Sequence, residues 1–244
     1  MRIISDFFLS LSFLSRIVPA READSHALAR SLNWFCMAGL VLGMIIIVPA
    51  LAGLAGGLPF VQALIVLGLG LFLTRGLHWD GWADLWDAWA SRAEGDRFWE
   101  IIKDSHIGAF GVMGLILGLG GQFVLLGEVI KAEQWALIVW SVTLGRFGAV
   151  ALAYFGKSYP RPGLGKIFLD GAGRKTIFNN LCVLIIFAAL FVPVFTVLIS
   201  IVLLGLGILC LLNLGRKNKG INGDFLGAAI IWGEISGLLA FVLF

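Results

Sequence analysis

The chain has 244 residues, 59% of them hydrophobic and only 14% charged, with a mean hydropathy of +0.97. Soluble domains carry about a quarter charged residues, so this balance excludes one and points to an integral membrane protein with a single polytopic domain spanning 1–244. A formal net charge of +3, dispersed along the chain, excludes nucleic acid as a partner.

MRIISDFFLSLSFLSRIVPA, residues 1–20, is a short apolar stretch interrupted by serines and Arg16. It has no convincing small-residue cleavage site and reads as a retained helix lying in the membrane interface. Segments able to cross a bilayer core, about 20 residues each, follow at 32–55, 59–75, 107–130, 135–155, 180–195, 196–214 and 226–244. The run 181–214 is too long for one span and barely enough for two. Pro193, which lacks a backbone donor, is its natural break. The fold expected is an all-α polytopic membrane bundle of seven spans, six if that run is not broken. Cys36, Cys182 and Cys210 all lie in apolar runs without CxxC spacing and read as packing residues.

Loop charge orients these spans, because cytoplasmic loops are rich in Lys and Arg. Residues 1–31 carry four, 75–106 four, 156–178 five and 215–225 three, whereas the opposite side has only Lys131 and Arg146 lies within a span. Sixteen of eighteen basic residues, and twelve of fifteen acids, then share the side of the N-terminus. The expectation is a cytoplasmic N-terminus and a cytoplasmic site built from the loops 75–106, 156–178 and 215–225.

GLHWDGWADLWDAWAS, residues 76–91, concentrates three aspartates and four tryptophans. At about 100° per residue in a helix, Asp80, Asp84 and Asp87 share one narrow face, and Trp79, Trp82, Trp86 and Trp89 cluster nearly opposite. The tryptophans suit a membrane boundary or a neighbouring span, leaving the carboxylates to a cavity. Three carboxylates this close repel one another unless a cation sits among them. Oxygen ligands with an open position suit Mg²⁺ or Mn²⁺. A solvated juxtamembrane helix, acidic outside and aromatic inside, has the same spacing. His78 is open to three readings: a base, a metal neighbour or a satisfied interfacial histidine.

Further along, Lys103, Asp104 and His106 precede the third span, where helix-end charge is the simpler explanation. Gly108, Gly111 and Gly114 fit close helix packing better than phosphate binding. YPRPGLGKIF, residues 159–168, sets Arg161 and Lys166 around a proline and two glycines, suitable for an anion, although a basic cytoplasmic loop has the same composition. In KGINGDFLGAAIIWGE, residues 219–234, Asp224 stands just before the last span and Glu234 within it. A carboxyl buried that deep tends to be functional or paired. Arg146 is the candidate partner, structural or catalytic. His26 reads as a surface residue.

Five segments in order over nearly the whole chain resemble the cobalamin synthase, or adenosylcobinamide-GDP ribazoletransferase, family. FLSRIVPA (13–20) is similar to its amino-terminal Phe-Leu-Ser/Thr-Arg-hydrophobic-Pro motif, and GLHWDGWADLWDAWASR (76–92) to its His-x-Asp-Gly-x-Ala-Asp-x-x-Asp-Gly element. KDSHIGAFG (103–111), GLGKIF (163–168) and NGDFLGAAIIWGE (222–234) resemble the three remaining elements. Ala88, His106 and Asn222 depart from the usual Gly, Arg and Thr. The resemblance implies a multi-pass enzyme of the bacterial inner membrane. Its reaction would be Mg²⁺-dependent attack by a ribose hydroxyl of α-ribazole, or of its 5′-phosphate, on adenosylcobinamide-GDP with loss of GMP. It implies Asp80, Asp84, Asp87 and Asp104 as metal ligands, and Arg161, Lys166, Lys103 and Asp224 at the substrate. Asp80, Asp84 and His78 would be the catalytic groups. Other corrinoid-assembly enzymes or a second copy of the chain are further partners it leaves open. A CDP-alcohol phosphatidyltransferase is the nearest rival, but its Asp-Gly-x-x-Ala-Arg pattern is absent, since Asp80-Gly81 is followed by Trp82-Ala83-Asp84. A transporter would bind nearer the midplane, where only Arg146 and Glu234 lie.

Overall fold

Backbone polar groups in hydrocarbon must be satisfied within the protein, so uninterrupted apolar runs become helices. In a computed structural model that describes residues 2–243, twelve α-helices, one short 3₁₀ helix (Leu32–Trp34) and no strand occur among the described residues. They are α1 (Arg2–Leu14), α2 (Ser25–Ser31), α3 (Phe35–Leu51), α4 (Pro59–Thr74), α5 (Leu77–Ala90), α6 (Asp96–Lys103), α7 (Ala109–Lys131), α8 (Trp135–Gly156), α9 (Leu164–Gly171), α10 (Arg174–Phe191), α11 (Val194–Lys217) and α12 (Gly223–Val242). Pro193 separates α10 from α11 and caps the latter, as its missing donor requires. Six helical stretches are long and apolar enough to cross a membrane, and a seventh arises if the bent pair α4 and α5 counts as one. The structure is therefore a polytopic helical membrane bundle. Asp224, expected just ahead of the last span, lies in the first turn of α12.

At the centre stands α8, 89% buried over its apolar window, whereas α7, α10 and α11 bury only 22 to 28% of theirs. Outward residues such as Ile116, Leu117, Ile186, Leu190, Val202 and Leu206 are exposed and form the surface expected against lipid tails. Glycines bring α8 and α12 together: a Cβ at Gly145 would lie 2.6 Å from the Ile230 carbonyl oxygen, and one at Gly233 2.7 Å from Gly145 Cα. Such small-residue contacts let backbones approach in a membrane, where no hydrophobic force drives helices together. Cys36 is buried beside this core and Cys210 is exposed on α11; all three thiols are free.

The corner between α4 and α5 is the feature that makes the site. Arg75 and Gly76 both adopt left-handed backbone, at φ 60° and 66°, and turn the chain through 92°. Left-handed backbone is unfavourable for arginine. Its guanidinium offsets that cost by donating to the carbonyls of Phe13 and Ser12, while Arg16 N donates to Leu73 O at 2.8 Å. The FLSRIVPA segment thus fastens α1 to the corner.

Candidate active site

Past the corner, α5 runs alongside the first turns of α7 and α12. Its tryptophans meet glycines of α7: a Cβ at Gly114 would strike Trp86, and one at Gly118 would lie 2.6 Å from Trp79. The Trp82 indole N–H donates to the Gly114 carbonyl at 2.9 Å. Only Trp89 is exposed. The aromatic stripe is therefore packed mainly on protein, and the glycines serve close packing. On the α12 side Gly81 abuts Asp224, where a Cβ would come 2.6 Å from Asp224 Cα. The Asp-Gly pair in α5 is what allows two carboxylate-bearing helices to touch.

The aspartates of α5 divide their tasks. Asp80 is exposed and lines a cleft. Asp84 is part-buried, and the charges of Asp224, Asp80 and Asp87 all act on it. Asp87 is buried, its two oxygens accepting the backbone N–H of Gly108 and Gly111 at 2.8 Å each. Those amides are unsatisfied donors at the start of α7, and a carboxylate there is favoured by the helix dipole as well. Asp224 accepts a hydrogen bond from the Asn222 side-chain amide at 2.6 Å, and Asn222 also caps α12 by accepting the Phe225 N–H. Among the described residues no Lys or Arg is bridged to Asp80, Asp84 or Asp224. No three His, Cys, Asp or Glu side chains among them converge tightly enough to cage a metal ion.

The cleft, of about 320 Å³, joins His78 and Asp80 of α5, Asn222 and Asp224 at the start of α12, and the glycine loop formed by Pro162 and Gly163 with the first residues of α9, Leu164 and Gly165. Gly163, at φ 129°, takes a backbone that L side chains avoid. Gly165 packs on Asn222, with a Cβ only 2.6 Å from its carbonyl carbon. The isolated bridge between Pro160 and Ile221 ties the two loops. The floor of the cleft is aromatic, with Phe13 and Phe35 both tilted against Phe168, at 4.8 and 5.4 Å between ring centroids.

Of the residues expected from sequence, Asp80, His78 and Asp224 line the cleft, and Asp84 stands beside them. Arg161 and Lys166 bracket Gly163 and Gly165 in sequence but do not line the cleft: Arg161 lies over the Trp99 ring at 4.2 Å and Lys166 pairs with Asp170 at 2.5 Å. Lys103 and Asp104 lie away from the cleft, both exposed. The His106 backbone N–H, and then its ring, hold the Asp104 carboxyl below the usual carboxylate range. Sequence reasoning gave no task to Phe13 or Asn222, although both lie in segments it singled out, and it passed over Gln122. An amide inside an apolar span was the available signal for Gln122.

Glu234 and Arg146 do pair, deep between α8 and α12, and Gln122 of α7 donates to the second oxygen of Glu234 at 2.9 Å.

A family model described as cobalamin-5-phosphate synthase matches residues 6–242. The chain is 43% identical to the adenosylcobinamide-GDP ribazoletransferase of Nitratidesulfovibrio vulgaris strain Miyazaki F, over 96% of this chain and 94% of the relative. It is 35% identical to the protein of that name from Klebsiella pneumoniae strain 342, over 97% and 99% of the two chains. No solved structure matches.

Proposed function

The chain belongs to the cobalamin-5-phosphate synthase family, a transferase of cobalamin biosynthesis, and we propose that it joins adenosylcobinamide-GDP to α-ribazole or α-ribazole 5′-phosphate. A ribose hydroxyl forms the new bond to the cobinamide-side phosphorus. The pyrophosphate P–O bond breaks, GMP leaves with its electron pair, and the hydroxyl proton passes to a base of the cleft. The observation that supports this reading most is the meeting of Asp80, Asp224 and His78 with the glycine loop in one cleft.

Displacement at a pyrophosphate needs charge neutralisation and in-line positioning more than covalent chemistry. The donor set suits Mg²⁺, being oxygen-only and without a basic partner. Mg²⁺ is commonly held by one or two carboxylates together with substrate phosphates, which agrees with a cluster that forms no closed cage. Asp80 and Asp84 would hold it, with Asp224 beside them, and the ion would supply positive charge to the pyrophosphate oxygens. Asp87 contributes by fixing α7 against α5, and Asp104 lies outside the cluster.

The remaining polar residues would bind substrate. Lys166 is exposed, and an exposed pair such as Lys166–Asp170 is worth only about 0–1 kcal/mol, so the ammonium can exchange Asp170 for a phosphate oxygen at little cost. Arg161, anchored on Trp99 and next to Pro162 of the cleft lining, would offer its guanidinium to a phosphate, and Lys103 adds distant positive potential. A cleft of 320 Å³ is at the small end of ligand pockets. It suits the ribazole over the aromatic floor, with the corrinoid remaining outside. The Lys and Arg distribution supports a site facing the cytoplasm from a bacterial inner membrane.

The test is direct. Protein purified in detergent should convert adenosylcobinamide-GDP, α-ribazole and Mg²⁺ to a joined corrinoid and one GMP; folded protein that yields neither would sink the reading.

A further inference from the structure

His78 also lines a second space of about 40 Å³, between α3, α4, α5, α7, α8 and α12. Five buried side-chain polar atoms find no hydrogen-bond partner among the described residues, and four of them belong to residues lining this space: His78 Nε2, Gln122 Oε1, Arg146 Nε and Arg146 Nη2. Their residues are at most 6% exposed. Arg146 uses Nη1 for Glu234 and the Val142 carbonyl. The free Nε and Nη2 form the opposite edge of the guanidinium, a fork of parallel N–H bonds shaped for oxygen.

We propose that this chamber binds water, and that the water fixes His78 with Nε2 as a hydrogen-bond acceptor and the ring proton on Nδ1. The volume holds about two or three molecules. A small anion is disfavoured, because Glu234 already neutralises Arg146 and its carboxylate faces the same space. Water that accepts from the Arg146 fork must place its own protons. Glu234, Ser141 and Thr74 also line the space, but the acceptors there with no partner in the protein are Gln122 Oε1, since the amide's Nε2 is turned to Glu234, and His78 Nε2.

His78 lines both the chamber and the cleft, so the arrangement reaches the proposed chemistry. Neither ring nitrogen then takes the hydroxyl proton: Nε2 is buried and accepts from the chamber water, and Nδ1 already carries a proton. The base of the transfer is a cleft carboxylate, and Arg146, Gln122 and Glu234 are positioning residues for the imidazole. This last consequence rests on the proposed ribazole transfer, whereas the water and the tautomer do not.

Two measurements on the detergent-solubilised full chain test the inference without reference to activity. Millisecond radiolytic hydroxyl labelling should mark chamber residues such as Leu126 and Ile138 in the wild type; no label there would overturn the bound water. In ¹⁵N-histidine protein carrying His26→Gln and His106→Gln, the remaining His78 should show a protonated Nδ1 and a bare Nε2 at pH 8. Protonated Nε2, the usual preference of free imidazole, would overturn the assignment. Gly70 lines the chamber, and a Cβ there meets only Ile46 at 3.7 Å. Gly70→Leu should abolish the chamber labels and lower kcat about 10- to 100-fold at nearly constant KM. Loss of label with full kcat would remove the positioning role.

Discussion

Gly81 lies against the main chain of Asp224, so closely that a Cβ at Gly81 would be 2.6 Å from Asp224 Cα and 2.8 Å from its carbonyl oxygen. The contact sets the spacing between the carboxylates of α5 and that of α12. Because the colliding atoms are backbone, they cannot rotate aside. Gly81→Ala should cost about 1–3 kcal/mol of stability and lower turnover about 100-fold through misplacement of the carboxylates. Initial rates on folded, monodisperse protein check this, and near-normal turnover would show that the α5–α12 spacing is unimportant.

Asp87 secures the start of α7 through the amides of Gly108 and Gly111. Asp87→Asn retains the shape but replaces one acceptor by an N–H₂ that faces backbone donors. A loss of about 1–3 kcal/mol is expected in reversible unfolding. If turnover disappeared with stability untouched, the carboxylate would belong to the cation instead.

The ion pair of Arg146 and Glu234, with Gln122 on its second oxygen, is enclosed by helices. Removing one partner strands a buried charge. Arg146→Met is expected to cost about 3–5 kcal/mol, and the double change Arg146→Met with Glu234→Leu distinctly less. A double variant as unstable as the sum of the two single ones would mean that the residues do not act as a pair.

Phe13 is the aromatic contribution of the amino-terminal segment to the cleft, tilted against Phe168. Phe13→Leu keeps an apolar wall but removes a ring face. The KM for α-ribazole should rise about 2- to 10-fold with kcat little changed, as steady-state kinetics would report. An unchanged KM would place the base elsewhere.

Much of this architecture was legible in the sequence because hydropathy is local information. The expected spans at 107–130 and 135–155 are the helices Ala109–Lys131 and Trp135–Gly156, whereas 59–75 is a 16-residue helix that reaches spanning length only together with α5; Pro193 breaks the long apolar run as its chemistry demands. The glycines at 108, 111 and 114 were also readable as packing residues. Other features depend on contacts between distant parts of the chain. Nothing near Asp87 announces that its partners are Gly108 and Gly111, and periodicity alone put it on one face with Asp80 and Asp84. The turn at Arg75–Gly76 needs the carbonyls of α1 to make a left-handed arginine tolerable. Within the loops 75–106 and 156–178, α6 and α9 were missed because each is only eight residues long and is held by tertiary packing rather than by propensity.

The central claim is that the Asp80–Asp84–Asp224 cluster serves a cation-assisted transfer to ribazole. The measurement that tests it most directly is the initial rate of GMP release from adenosylcobinamide-GDP and α-ribazole, for wild type and Asp84→Asn, with Mg²⁺ and with a chelator. For wild type with Mg²⁺, GMP should equal the corrinoid product, and the rate should fall at least about 100-fold on chelation or in folded, membrane-inserted Asp84→Asn. Wild-type rates preserved under chelation, or an Asp84→Asn enzyme of near-normal activity, would contradict it.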